Sequence, residues 1–479
     1  GISPLTPDHV NPEAPWPEIS HLAKTMANYG KILTERLPLY PRFALNSKKW
    51  TDKEITSALL RSMDQQGYAR EDEWAPGQST FPPVHKKSYL PLKMKGEKNK
   101  IDQILERING SGEINEEQII ILLNSRGLEF ERVCEFANKL RKKVSGEEVT
   151  YAVNRNINYT NVCYFRCGFC AFSKGKMSEN LRGKPYNLEL DEIVSRAREA
   201  WDRGASEVCL QGGIHPSYTG ETYLQICKAI HEAVPRIHIH AFSPLEVSQG
   251  ASTLGLSVPE FLEKLRDSGL GTLPGTAAEV LDDEVRNIIC PDKLSTQEWL
   301  SVMRDAHEVG FRTTATIMFG HLEAPYHVAR HLLRIRDLQR ETGGFTEFVP
   351  LPFVHMEAPI YLKGKSRMGP TFREAVLIHA VARIVLNPFI QNIQTSWVKM
   401  GPEGVKACLD AGANDLGGTL MNESITRAAG TVHGQEMLPE RMEALIRQTG
   451  RIPRQRDTLY RIPDPIQNSK SYGNQLINH

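Results

Sequence analysis

The chain has 479 residues, with 58 Lys+Arg against 57 Asp+Glu, and eight cysteines. A formal charge of +1 argues against a nucleic-acid footprint or a polybasic membrane anchor, and the absence of any run near ~18 consecutive apolar residues argues against a transmembrane helix. The length exceeds one ordinary domain, and scattered single cysteines suit a reducing compartment, the cytoplasm or a reducing organelle.

Residue 1 is Gly, so the natural start is expected to lie upstream or to have been processed. Residues 1–45 do not read as the opening of a domain: Asn11-Pro-Glu-Ala-Pro-Trp-Pro leads into a helical pattern with Ile19, Leu22, Met26, Ile32 and Leu33 near one face. Residues 46–100 read as a largely disordered linker, in which a short amphipathic helix over 54–63 precedes turn-rich and charged stretches at 75–83 and 93–100. From residue 101 the signal is regular. Ile101, Ile104, Leu105 and Ile108 share a helix face ended by Gly110 and Gly112, Asn115-Glu-Glu-Gln opens a second helix, and residues 130–143 form a third. These helices are expected to cap one end of a domain spanning 101–462, with residues 463–479 a polar tail.

Strands are predicted at 153–159, 207–210, 237–242, 270–273, 313–319, 346–351, 392–397 and 413–416. Helices follow at 189–203, 222–233, 259–267, 296–307, 328–339, 372–386 and 403–410. Eight strand-helix units point to an α/β fold, a TIM-type (β/α)8 barrel with N-terminal capping helices, whose site lies at the carboxyl ends of the strands.

The loop after the first predicted strand holds Cys163, Cys167 and Cys170 in the pattern C-x3-C-x2-C. Thiolates are soft ligands that select iron-sulfur clusters, zinc or copper(I), and a four-iron cluster normally takes four of them. Three leave one iron open to a substrate or cofactor. Structural zinc usually needs a second knuckle, and the other cysteines (Cys134, Cys209, Cys227, Cys290, Cys408) stand singly, as small core hydrophobes do.

The cysteine motif, with Phe169 before its last member, resembles the signature of the radical S-adenosylmethionine (SAM) superfamily. Further runs are similar to the second half of the FO synthase family, the tyrosine 4-hydroxybenzyl transferases of deazaflavin biosynthesis. They are Tyr151-Ala-Val-Asn-Arg-Asn-Ile-Asn-Tyr-Thr-Asn, Leu210-Gln-Gly-Gly-Ile-His-Pro, Leu273-Pro-Gly-Thr-Ala-Ala-Glu, Thr316-Ile-Met-Phe-Gly-His-Leu-Glu, Phe348-Val-Pro-Leu-Pro-Phe and Asn414-Asp-Leu-Gly-Gly-Thr-Leu-Met. The segment at 11–43 resembles the end of the family's first half, so residues 1–45 are expected to be its remnant in a fused chain or, alternatively, a docking arm on the barrel.

That resemblance implies a 4Fe-4S cluster on the three cysteines and SAM chelated to its open iron. Gln211, Gly212 and Gly213 would lie beside the SAM amino group, in place of the superfamily's usual Gly-Gly-Glu. Glu279, expected at the start of the helix after the fourth strand, would bond the SAM ribose, while His321 and Glu323 would position SAM or tyrosine. Inward polar residues (Ser243, Glu246, Gln394, Ser396, Trp397, Asn414, Asp415) require a polar ligand or each other. The implied reaction takes a hydrogen from the tyrosine amine through a deoxyadenosyl radical and breaks Cα–Cβ. The 4-hydroxybenzyl radical then adds to C5 of 5-amino-6-(D-ribitylamino)uracil, leaving iminoacetate. The implied partners are L-tyrosine, that uracil, the FO synthase first half, and a low-potential donor such as ferredoxin or flavodoxin. Two menaquinone-pathway enzymes, aminofutalosine synthase and the cyclic dehypoxanthine futalosine-forming enzyme, share several motifs, and an inactive cluster-binding fragment is the remaining alternative.

Overall fold

The alternation of short strands with amphipathic helices becomes a curled parallel sheet in the computed structural model, which describes residues 9–10, 13, 18–83, 100–110, 112–173 and 184–472. Its strands are β1 (Glu148–Ala152), β2 (Asn154–Ile157), β3 (Glu207–Leu210), β4 (His238–Ala241) and β5 (Thr272–Leu273), then β6 (Arg312–Phe319), β7 (Phe345–Pro352), β8 (Asn392–Ile393), β9 (Asp415–Gly418) and β10 (Ile452–Arg456). Strands β2 to β8 form one sheet in chain order, every pair parallel. β9 carries the curl round to its beginning. Gln394 bridges Asp415 on one side of it, and Met421, just past its end, bridges Arg155 of β2 on the other. The Asn414 N–H donates to the Ile393 carbonyl at 3.0 Å, and the Met421 N–H to that of Asn154 at 3.1 Å.

Two strands were not expected. β1 and β10 pair in register from Glu148↔Ile452 to Ala152↔Arg456, and with β9 they make a second, three-stranded sheet. The stretch expected as a strand at 392–397 ends after two residues, because Trp397 opens the helix Trp397–Asp410 and donates its indole N–H to the Gly418 carbonyl at 2.9 Å. Gln394 and Ser396 therefore sit in the loop beyond β8 rather than in a strand.

The helices Lys100–Asn109, Glu116–Leu123 and Gly127–Ser145 form as expected. Asn115 accepts from the Gln118 N–H at 2.9 Å and Gln118 reciprocates at 3.1 Å, a capping box that satisfies two orphan donors. The second and third of these helices lie over the helix Phe372–Leu386, all fifteen residues of which are buried.

Residues 46–83 depart from the linker expected there. Leu59, Leu60 and Met63 of the helix Lys53–Ser62 and its exit close a small core with Leu37 and Ala44, while Trp74 belongs to the main core, edge-on to Phe372 with ring centroids 5.3 Å apart. The polar residues that suggested solvation are buried and paired. Asp64 meets Arg126 and Arg373, the Gln65 N–H donates to Glu374 at 2.6 Å, and Arg70 donates to the Gly369 carbonyl at 2.9 Å. The charged stretch near 93–100 falls almost wholly outside the described residues, as does most of 11–17. No helix among the described residues is long and apolar enough to cross a membrane.

Candidate functional site

Loops from the carboxyl ends of the strands enclose a cavity of about 400 Å³ lined by Cys163, Cys167 and Cys170, by Gln211, Gly212 and Gly213, and by Ser243, Glu246, Thr276 and Glu279. The cysteine loop is held by main-chain bonds from four directions. The Gly213 N–H donates to Thr160 at 2.9 Å, Tyr164 to Ile214 at 3.1 Å, Gly168 to Ile289 at 2.7 Å, and Ile360 to Gly168 at 2.7 Å. The glycines were expected to let a ligand approach the backbone, and the structure shows a nearer reason for them. A Cβ on Gly213 would strike the Val162 carbonyl and stand 2.9 Å from the Cys163 Cβ, and one on Gly212 would enter the Tyr159 ring. Their first task is to let the second loop lie flat on the cysteine loop.

The donor set tests which metal group fits. A tetrahedral zinc, with Zn–S of ~2.3 Å, would hold its thiolates within ~4.6 Å of each other. Among the described residues, the trio of metal-ligating side chains whose atoms converge within 4.8 Å is Asp282, Glu284 and His327, not the three cysteines. Three thiols on one cavity wall are the soft donors that a multi-iron cluster takes. The Ser173 N–H donates to the Cys170 sulfur at 3.3 Å, the kind of bond that tunes cluster sulfurs. Burial pushes the Cys167 thiol up to about 12 and raises that of Cys170, so cluster assembly must displace thiol protons.

Glu279 does not start a helix. It lies in the loop before the helix Asp283–Ile289 with φ of 47°, and its carboxylate takes a hydrogen bond from the Lys293 ammonium at 3.0 Å. That ammonium also stands 5.2 Å above the Phe169 ring, and the Glu279 charge holds its pKa high against the effect of burial. Lys293 is a site residue that sequence reasoning missed. It lies in an inter-helix loop, in no recognised motif, and only the fold brings it to the cysteines.

On the neighbouring wall Tyr159 donates its hydroxyl to Glu246, which also accepts from the Ser243 hydroxyl at 2.6 Å and the Ser243 N–H at 2.7 Å. Burial raises the Glu246 carboxyl, opposed by those hydrogen bonds. Across the cavity lie Lys399, whose pKa burial lowers to about 8, and Glu423, which caps the helix Ile425–Ala428 by accepting from the Thr426 N–H at 2.7 Å. Five of the six non-glycine residues with positive φ among the described residues, Phe242, Ala277, Glu279, Leu420 and Asn422, lie in these loops. Such strain persists where surrounding structure over-determines it, and it collects at functional sites.

Other expected residues are not brought to the cavity. His321 is fully buried, its Nε2 donating to the Met318 carbonyl at 3.0 Å and its Nδ1 accepting from the Leu322 N–H at 2.8 Å. Glu323 accepts from the Gly320 N–H at 2.6 Å and from Arg367 at 3.2 Å. Both brace the loop after β6 through Arg367 and Glu374. Asn414 is satisfied by Arg383 at 2.6 Å and Asp415 by Arg456 at 2.6 Å, so these two find protein partners rather than a ligand.

Comparison with known proteins agrees with this geometry. Residues 157–333 match the model of the radical SAM superfamily, and residues 342–468 match that of the CofH/MqnC C-terminal region. The chain is 41% identical to the FO synthase of Streptomyces coelicolor over 96% of its own length and 57% of that protein, so it spans a little over half of the FO synthases it matches. It is 47% identical to the 5-amino-6-(D-ribitylamino)uracil--L-tyrosine 4-hydroxyphenyl transferase of Methanocaldococcus jannaschii, over 73% of this chain and 97% of that one. Methylornithine synthase superposes with a TM-score of 0.57 at 17% identity, over 73% of this chain and 97% of its own, a likeness of fold.

Proposed function

The chain belongs to the radical SAM superfamily and, within it, to the family shared by FO synthase and the tyrosine 4-hydroxyphenyl transferase; from that premise we propose that it cleaves the Cα–Cβ bond of L-tyrosine and transfers the 4-hydroxybenzyl group to 5-amino-6-(D-ribitylamino)uracil in FO biosynthesis. The observation that carries this reading is one cavity, at the carboxyl ends of the barrel strands, that combines three thiols with the Glu279–Lys293 pair and a polar floor.

Cys163, Cys167 and Cys170 would hold a 4Fe-4S cluster, with SAM beside it along Gln211, Gly212, Gly213 and Glu279. When bound, these groups supply a carbon-centred radical by one-electron cleavage of SAM. The protein's own part is to bind, orient and exclude water. Lys293 holds the Glu279 carboxylate in place, leaving that group able to accept from ribose hydroxyls. Lys399, on the cavity wall, offers the amino group that a tyrosine carboxylate needs. Phe165, Leu245, Leu351 and Val398 make the walls apolar, which keeps stray hydrogen donors from a radical.

The family implies a reductant, for which a ferredoxin or flavodoxin is proposed, together with a reducing compartment. The FO synthase first half, in cis or as a separate chain, would complete the deazaflavin ring. The test is anaerobic reconstitution with SAM, reductant, tyrosine and 5-amino-6-(D-ribitylamino)uracil, read by mass spectrometry. Expected products are 5'-deoxyadenosine and the benzylated uracil adduct. Turnover of a menaquinone-pathway substrate with no adduct would overturn the assignment.

A further inference from the structure

Below the cavity, the barrel interior holds a second space of about 160 Å³ that shares Asn156, Gln211, Thr276, Gln394 and Leu420 with it. This is room for several water-sized groups. Its lining is polar and incompletely paired. The Asn156 Oδ1 is buried without a hydrogen-bond partner. The His240 ring, which lines this space, is bonded through Nδ1 to the Thr272 hydroxyl at 2.7 Å. Gln394, which lines both spaces, spends its amide N–H on Glu347 at 3.2 Å.

The charge of this space limits what enters. Glu207 and Glu347 line it with Arg456, whose guanidinium is already committed to Asp415 at 2.6 Å and to Glu347 at 3.3 Å. An anion would meet two carboxylates and no uncommitted cation. An aromatic ring would leave the Asn156 oxygen buried and unpaired. An uncharged chain that carries a hydroxyl on nearly every carbon suits both conditions.

We propose that the barrel interior below the cavity is a polyol subsite, which takes the D-ribityl chain of the uracil substrate through the ring of Asn156, Gln211, Thr276 and Gln394. This rests on the transfer reading above and adds an orientation to it. The ribityl chain leaves C6, the neighbour of the carbon that forms the new bond. With the chain inserted downward, the pyrimidine lies across the mouth of the interior and its reacting edge is held under the cysteine wall. The same geometry rejects a phosphorylated chain, whose dianion would be driven against Glu207 and Glu347.

The test compares three compounds on cluster-loaded enzyme: 5-amino-6-(D-ribitylamino)uracil, its 5'-phosphate, and 5-amino-6-(methylamino)uracil. Calorimetry without reductant should show the ribityl compound binding roughly 100-fold more tightly than either of the others. His240→Phe in β4 and Gln394→Leu in the loop beyond β8 should each erase about tenfold of the preference over the methylamino compound. Equal binding of all three by the wild type would overturn the subsite, as would a preference unchanged in both variants when they melt like the wild type. Discrimination in binding with no adduct formed from any uracil would overturn the transfer reading and leave the subsite standing.

Discussion

The Lys293 ammonium lies 3.0 Å from the Glu279 carboxylate, and the two side chains are only 13% and 11% exposed. A pair this sheltered differs from a surface ion pair, because removing one partner leaves the other charge poorly solvated. Glu279 is also held at a positive φ, a conformation that persists only where the surrounding structure over-determines it.

Lys293→Met should therefore displace Glu279 and slow SAM cleavage on the order of 100-fold, the scale of a misplacement near 1 Å. Lys293→Arg should recover part of the loss. Steady-state kinetics in SAM separates the possibilities: a raised KM marks a positioning role for the pair, whereas an unchanged KM with a lowered melting temperature would mark a structural one.

Gly213→Ala brings a Cβ onto the Val162 carbonyl and to 2.9 Å from the Cys163 Cβ, with backbone on one side that cannot move freely. The cysteine loop should shift while the barrel stays intact. Expected are a wild-type circular dichroism spectrum and an iron content reduced severalfold after anaerobic reconstitution. Full iron loading of this variant would show that the contact between the two loops is dispensable.

Trp74 is 2% exposed and belongs to the main core. Trp74→Ala should destabilise the protein by about 3–5 kcal/mol, as large-to-small changes at well-packed aromatic sites do. Denaturant melts measure it. A change below about 0.5 kcal/mol would be the behaviour of a linker residue and would contradict the packing of residues 64–75.

His331 is fully buried, with its Nδ1 accepting the Leu281 N–H at 2.9 Å, and burial lowers its pKa to about 3. An unfolded chain takes up this proton near pH ~6.5, and the folded one does not until far lower. Stability present at neutral pH should be lost as the pH falls below ~6.5, at up to ~1.4 kcal/mol per pH unit from this ring. Melting temperatures of wild type and His331→Gln from pH 7.5 to 5.5 check the sign, the variant showing the shallower decline.

What could be read in the sequence was what local pattern encodes. The helix at 372–386 and the strand at 207–210 form at the expected residues, and the cysteine loop follows a strand as its spacing required. β1 escaped because its partners β9 and β10 lie more than 250 residues away and a five-residue strand carries little periodicity of its own. Residues 46–83 were misread because they pack through single side chains, Trp74 and Met63, and through polar groups whose charged partners are Arg126, Arg373 and Glu374. No pattern within the segment reports partners supplied from elsewhere. Lys293 was hidden for the same reason, whereas His321 and Glu323 looked functional because a buried brace and a ligand-binding pair draw on the same residue types.

Electron paramagnetic resonance of the reduced protein before and after SAM addition, with iron quantified on the same sample, bears most directly on the three-thiol site. Expected are about four irons per chain, a reduced-cluster signal that changes on adding SAM, and loss of that change in Cys167→Ala. Zinc in place of iron after anaerobic loading, or a cluster signal indifferent to SAM in the wild type, would contradict a cluster with one open iron in this cavity.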